Sequence, residues 1–321
     1  MKLAIIGGTR FIGHATAAHA AERGHDVYVL HRGKHPSELA TVQPIAVDRY
    51  DPSALCETLA HLAPNAVIDT RAMCSVEAEC TALAMKVLGL PGVVLSSQDV
   101  YAQFGMFNGL PCPSVEPVVN EDSPLTIPFP FRELGGHDGG PDYDKKEVEK
   151  VFCDAAKDGI PGVAILRLPM VYGPRDYRRR FGTIVDALDS GLTQLPCTGG
   201  AVGRITHAHV VDVAHAVVLA VEGIRRGARV YNVGEEMTPT MRDRVEMLAH
   251  AAGRSFSWNE VQEVPPPFWM LGRLPTDFVV DSSRIRAEIG YRELTTERER
   301  LADTVQWLRQ SRPEQTPLTP Q

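Results

Sequence analysis

Short apolar runs alternate with segments of helical period from the first residues onward. Residues 3–6 predict a buried strand, 12–23 a helix with apolar positions at turn spacing, and 27–30 a second strand. Further strands are predicted at 44–47, 66–68, 93–95 and 163–166, with helices between most of them. Continuous apolar strands separated by helices indicate a parallel sheet covered on both faces, a doubly wound α/β architecture. Gly24 ends the first helix as a glycine cap does.

The rhythm breaks at residues 103–142, where proline, glycine and asparagine are dense, as in Leu110-Pro111-Cys112-Pro113 and Gly135-Gly136-His137-Asp138-Gly139-Gly140. A loop this long inside a compact chain is usually a lid or a pocket wall. After residue 174 the pattern is mixed, and a helix at 211–221 and a strand at 229–233 return to the sheet. The expected division is therefore 1–174, also receiving about 210–234, with 175–321 mainly a smaller carboxyl-terminal lobe interleaved with it. The last ten residues, with Pro313, Pro317 and Pro320, predict a frayed tail.

Composition changes this picture by exclusion. Of 321 residues, 44% are hydrophobic and 23% charged, which is an ordinary globular balance. A net charge of −7 argues against nucleic acid or an acidic membrane as partner. The 6 cysteines are scattered without a CxxC pair, as in reduced proteins of the cytoplasm. No apolar stretch approaches the length of a membrane span.

The candidate chemistry starts at Gly7-Gly8-Thr9-Arg10-Phe11-Ile12-Gly13, between the first strand and helix. Gly7 permits a tight turn, Gly8 a close backbone approach to a pyrophosphate, and Gly13 close helix–strand packing. This stretch resembles the glycine motif of the NAD-dependent epimerase/dehydratase superfamily, the extended and atypical short-chain dehydrogenases/reductases. With Gly24-His25-Asp26-Val27 and Arg32-Gly33-Lys34 it is closest in wording to the atypical branch that includes chloroplast stem-loop-binding proteins. Arg10 stands where the extended pattern has its middle glycine. The resemblance implies a Rossmann-type domain, an NAD(P) cofactor and a role for Asp48 at the adenine. After the second strand no acid is present to hold a ribose hydroxyl, and Arg10 and Arg32 suit a 2′-phosphate, which favours NADP(H).

Ser96-Ser97-Gln98-Asp99-Val100-Tyr101 resembles the family's Ser-Ser-x-x-Val-Tyr motif. That likeness implies a hydrogen bond from Ser97 to the substrate oxygen and places Asp99 where dehydratases carry an acid. Tyr143 is the implied proton carrier. The family's Tyr-x-x-x-Lys spacing is broken, because Glu147 is the fourth residue on; such an anion one turn away would oppose ionisation of the phenol. Lys146 shares the tyrosine's face if both are helical, whereas Lys145 fits only if Tyr143 precedes the helix; Lys146 is favoured. Arg167 through Pro174 resembles the segment that closes over nicotinamide and substrate. Arg204, with His207, His209 and Asp212, resembles the segment whose arginine binds a substrate diphosphate. Met170 replaces the asparagine usual in sugar-nucleotide epimerases, and Trp258, Phe268, Trp269, Met270 and Phe278 are candidates for an apolar pocket. No metal is expected at His207 and His209, which lack companions at ligand spacing.

Together these features predict an NAD(P)-dependent oxidoreductase or epimerase acting on a small hydroxyl or carbonyl compound, with a sugar nucleotide among the candidates. The alternative is a cofactor-binding regulatory or RNA-binding protein with decayed catalysis. The resemblance also implies a homodimer, paired through helices near 77–88 and 145–157.

Overall fold

The computed structural model describes residues 1–33, 37–132, 137 and 139–312. Lys34, Gly135, Gly136, Asp138 and the prolines of the expected tail, Pro313, Pro317 and Pro320, lie outside the described residues.

The chain begins β1 (Lys2–Ile6), α1 (Phe11–Glu22), β2 (Asp26–His31) and β3 (Gln43–Ala46). Next come α2 (Pro52–Leu62), β4 (Ala66–Asp69), α3 (Ser75–Leu88) and β5 (Gly92–Ser97). Asp51 starts α2 by accepting from the amides of Ser53 and Ala54, with Pro52 at the first helical position. The short α4 (Ala102–Gly105) opens the long loop, whose described residues to 144 contain one single-turn helix and isolated bridges such as Tyr101 with Leu125 and Val119 with Val280. Then follow α5 (Lys145–Lys157), β6 (Gly162–Leu168), β7 (Met170–Tyr172), α6 (Gly182–Asp189), β8 (Gln194–Cys197) and β9 (His207–His209). The chain closes with α7 (Val210–Glu222), β10 (Gly227–Asn232), α8 (Met241–Ala251), β11 (Ser257–Glu260), α9 (Ser283–Ile289) and α10 (Glu297–Gln310).

Seven strands form one parallel sheet in the order β10-β6-β5-β4-β1-β2-β3. Successive strand residues face opposite layers. Leu3 and Ile5 join the core under α1 and α7, while Ala4 and Ile6 join the core under α2, α3 and α5. Burial on both faces is why these strands read as unbroken apolar runs. The strand order reverses between β1 and β4, which opens a crevice at the carboxyl ends of the strands.

A third apolar cluster, including Phe181, Val185, Leu195, Val245, Leu248 and Leu301, lies outside the sheet. It is built by α6, α8 and α10 against the paired β8 and β11. The sheet and the long loop are tied together by Arg167. Its guanidinium grips Glu149 of α5 through two bonds of 2.7 and 2.9 Å and reaches the Tyr101 hydroxyl at 2.9 Å. Tyr101 in turn donates to Asn232 of β10 at 2.7 Å, and Ser96 donates to Glu149 at 2.6 Å. All five side chains are buried or nearly so, and each satisfies the others' polar atoms, as a low-dielectric network requires. Arg167 therefore braces the ends of β5 and β6 from behind.

Candidate active site

At the carboxyl ends of β1, β2 and β4 lies a crevice of about 560 Å³. Gly7, Thr9, Arg10, Phe11, Ile12 and Gly13 form its floor. Gly7 takes φ +86°, a conformation costly for any residue with a Cβ. A Cβ at Gly13 would stand 2.4 Å from the Gly7 carbonyl oxygen, so only glycine lets α1 approach the turn. Gly8 lies behind the crevice lining, where a Cβ would press on Val29 and Ile5 at 3.0–3.1 Å. No side chain caps the amino end of α1, and its first turn has no acid, which leaves backbone N–H groups for an anion.

The crevice walls are cationic. Arg10, Arg32, Arg49, Arg71, Lys145 and Arg180 line them, and no carboxylate does among the described residues. Arg49 is held by Asp69 behind the wall at 2.7 Å, while Arg32 and Arg10 are exposed, Arg10 over the Tyr177 ring at 5.7 Å. The glycine floor and this charge fit a dinucleotide with its phosphates. Asp48 is elsewhere: it is exposed, lines neither cavity, and accepts from the Tyr50 amide at 3.1 Å as a turn cap. Val47 and Arg49, its neighbours, face the crevice instead.

A second cavity of about 750 Å³ adjoins the first, and Ser97, Tyr143 and Pro169 line both. At this junction the Tyr143 hydroxyl donates to Asp99 at 2.6 Å. Both are buried. Burial pushes the Asp99 carboxyl up to about 6, against the pull of its bonds from Tyr143 and Ser97. Burial and the adjacent carboxylate raise the Tyr143 phenol above its ordinary value. Ser97 ends β5, and its hydroxyl accepts from the Asp99 amide at 3.2 Å.

Which of the two lysines faces the crevice follows from where the helix begins. Asp144 caps α5 by accepting from the amides of Lys146 and Glu147, so Tyr143 precedes the helix and Lys145 is its first residue. Lys145 enters the crevice, its ammonium held by the carbonyls of Ala72 at 2.6 Å and Leu95 at 2.9 Å. Burial lowers it to about 8, opposed by the charge of Asp99. Lys146 turns away to the Thr126 carbonyl at 2.7 Å and lines neither cavity. Glu147 likewise lines neither, so the expected opposition to the phenol comes from Asp99 and not from Glu147.

Met170, Phe268, Trp269, Met270 and Phe278 line the larger cavity, but Trp258 does not; it packs on Phe256 and donates to Glu246. Arg204 is exposed and outside both linings, its amide bonded to Asp277, and Arg178, Arg179 and Arg180 line the cavity. His207 and His209 are buried against Tyr172, and burial lowers both below the ordinary histidine range. Two features escaped the sequence. His137 stacks on Tyr143 with ring centroids 3.6 Å apart, and Gly139 lies so close that a Cβ would stand 2.3 Å from the ring. The glycine-rich wording of that loop was the only signal of close approach.

Comparison with known proteins follows the same pattern. The model of the NAD dependent epimerase/dehydratase family matches residues 3–84 and 143–234. A dTDP-glucose 4,6-dehydratase of Streptomyces niveus is 28% identical over 158 residues, and one of Streptomyces griseus 30% identical over 161. Each match takes 49% of this chain and only 44% and 46% of the respective relative, so the chain spans about half the length of the curated relatives it matches. The UDP-glucose 4-epimerase of Thermus thermophilus, solved with NAD, superposes with a TM-score of 0.71 at 21% identity, covering 97% of this chain and 100% of that one. With the strand order, the glycine turn and a family match over more than half its residues, this chain belongs to the NAD dependent epimerase/dehydratase family.

Proposed function

We propose that the chain is an NAD(P)-dependent enzyme that moves a proton at a secondary hydroxyl, or the matching ketone, of a sugar nucleotide. The observation that carries this is the 2.6 Å hydrogen bond from Tyr143 to Asp99 where the two cavities meet. What the nicotinamide supplies when bound is hydride transfer. Gly7, Gly13, Thr9, Phe11, Ile12, Arg10 and Arg32 would hold the dinucleotide, and the exposed arginines support a preference for NADP(H). Ser97 would orient the substrate oxygen. As Tyr143 takes the substrate's hydroxyl proton, its own proton passes to Asp99, whose raised pKa suits a general base near neutrality. Lys145 keeps positive charge beside that carboxylate.

The sugar-nucleotide class is supported by the dTDP-glucose 4,6-dehydratase relatives and by a cavity of about 750 Å³ with aromatic walls. A decayed, RNA-binding role had its support in the broken Tyr–Lys spacing, and Lys145 removes that support. We assign the cofactor to 1–174 with about 210–234 and the substrate mainly to 175–321. We also propose a homodimer. Helix α3 packs beside α5 and leaves Val76, Leu83 and Val87 about half exposed or more, on an outward face. No helix among the described residues is long and apolar enough to cross a membrane, and six unpaired cysteines support a cytoplasmic setting. The test is a panel of sugar nucleotides with NAD and NADP, read by nicotinamide absorbance and by product analysis for internally recycled cofactor. No conversion of any member by either cofactor would overturn the assignment.

A further inference from the structure

Between β4 and α3, Thr70 and Arg71 pack directly against the glycine turn. A Cβ at Gly7 would stand 2.8 Å from both the Thr70 hydroxyl oxygen and the Arg71 Cβ. The backbone at this point is pinned. The Thr70 amide and hydroxyl donate to the Ile6 carbonyl at 3.0 and 2.9 Å, and the Arg71 amide donates to Asp69 at 2.9 Å. Asp69 is buried and committed elsewhere, to the Arg49 guanidinium at 2.7 Å and the Thr81 hydroxyl at 2.7 Å. The Arg71 side chain therefore leaves a fixed backbone beside Gly7, in the wall of the dinucleotide crevice.

Three other cations of this crevice already have acceptors in the protein. Arg49 has Asp69, Lys145 has two carbonyls, and Arg180 has Asp176 at 3.1 Å. Arg71 is partly exposed, and among the described residues its guanidinium meets no carboxylate and no hydrogen-bond acceptor. Its charge is felt nonetheless: Lys145, lowered first by burial, is pushed further down by Arg71 against the pull of Asp99. An unpaired guanidinium is a planar fork that matches two phosphate oxygens in parallel hydrogen bonds. The uncapped amino end of α1 offers backbone N–H groups to an anion at the same turn. We propose that Arg71 binds the diphosphate of the dinucleotide, adding a side-chain contact to the amides of the glycine turn. It contributes affinity common to NAD and NADP, whereas Arg32, after β2, is assigned to the 2′-phosphate that NADP alone carries. This rests on the dinucleotide site described above.

The experiment is calorimetric titration of NAD, NADP and ADP-ribose into the native protein, Arg71→Gln and Arg71→Lys. Glutamine keeps the aliphatic stem beside Gly7 and removes the charge. The expected result is a loss of roughly ten-fold in affinity for all three ligands in Arg71→Gln, with partial recovery in Arg71→Lys. The loss should shrink at high salt, where an ion pair open to solvent is screened. A loss confined to NADP places the arginine on the 2′-phosphate and overturns the proposal. A loss that spares ADP-ribose places it on the nicotinamide and overturns it equally. A loss that salt leaves unchanged and lysine does not recover is a packing defect, and the proposal falls. Native binding that Arg71→Gln leaves intact overturns Arg71 alone, whereas a native protein that binds none of the three ligands overturns the dinucleotide site and Arg71 with it. Circular dichroism of each variant separates these results from misfolding.

Discussion

The Tyr143 hydroxyl donates to the Asp99 carboxylate across 2.6 Å, and burial holds that carboxyl up to about 6. In the proposed mechanism proton acceptance falls to a carboxylate titrating near neutrality, while the phenol itself lies above its ordinary range. Asp99 must be ionised to accept, so kcat/KM is expected to rise as pH passes through about 6. Lys145, lowered to about 8, must be charged, so activity falls through about 8. The profile should be bell-shaped between these values. A single limb still rising above about pH 9 would assign the acceptance to Tyr143 alone, whose free phenol titrates near ~10.

Lys145 and Lys146 should separate cleanly in mutants. Lys145→Ala removes a positive charge that acts on Asp99, and the acid limb of the pH profile should move upward as the carboxylate loses that support. Turnover should fall on the order of 10²-fold, typical of a lost acid–base element. Lys146→Ala loses a bond to the Thr126 carbonyl outside both cavities and should keep activity within about two-fold, a change of under ~0.5 kcal/mol. Equal losses in the two variants would reverse the assignment.

For the cofactor, Arg32→Ala should weaken NADP(H) about ten-fold and leave NAD(H) nearly unchanged, since a charge-assisted pair at an exposed site is worth roughly 1–2 kcal/mol. Calorimetric titration of both nucleotides on native and variant protein measures this. Equal affinity of the native protein for both would show that Arg10 and Arg32 meet no 2′-phosphate.

Much of the sheet was legible because its strands are buried on both faces and so spell continuous apolar runs; β1, β2, β4 and β6 fall where those runs fall. The glycine turn was legible for a related reason, since Gly7 and Gly13 answer backbone geometry that no other residue fits. The lysine was ambiguous because a shift of one residue in a helix start exchanges Lys145 for Lys146. Asp144 held the answer: an aspartate before Lys-Lys-Glu is an N-cap signal, and it places Tyr143 outside the helix. Asp48, implied at the adenine by resemblance alone, accepts from the Tyr50 amide as a turn cap does. Arg178 and His137 were not legible, because one depends on positive φ values held by Asp176 and the other on a ring stack formed across a loop.

The outward face of α3 gives a test of assembly. Val76, Leu83 and Val87 recur at helical spacing and are 53%, 50% and 63% exposed, an apolar stripe that a partner helix would cover. Sedimentation at micromolar concentration should show a dimer for the native protein, and Leu83→Glu with Val87→Glu should give monomers of unchanged helical content. A native monomer would remove the dimer.

Asp99 also makes a prediction about stability that does not depend on substrate. Its folded pKa is raised from 3.8 to about 6 because burial penalises the charge. The folded state therefore holds the proton more tightly than the unfolded chain. This favours folding fully below about pH 3.8, and the advantage is lost as pH rises through about 6. Above that, the ionised carboxylate is a burden on the order of 3 kcal/mol, at ~1.4 kcal/mol per pKa unit. Asp99→Asn keeps the size and an acceptor oxygen for the Tyr143 hydroxyl but cannot ionise. It should therefore raise Tm at about pH 8 by several degrees relative to the native protein and have little effect at about pH 4, while turnover falls at least ~10²-fold. Thermal unfolding of both proteins across this pH range decides the matter. A variant less stable than native at the alkaline end would mean that the ionised carboxylate, bonded to Tyr143 and beside Lys145, is a net stabilising element of the folded site.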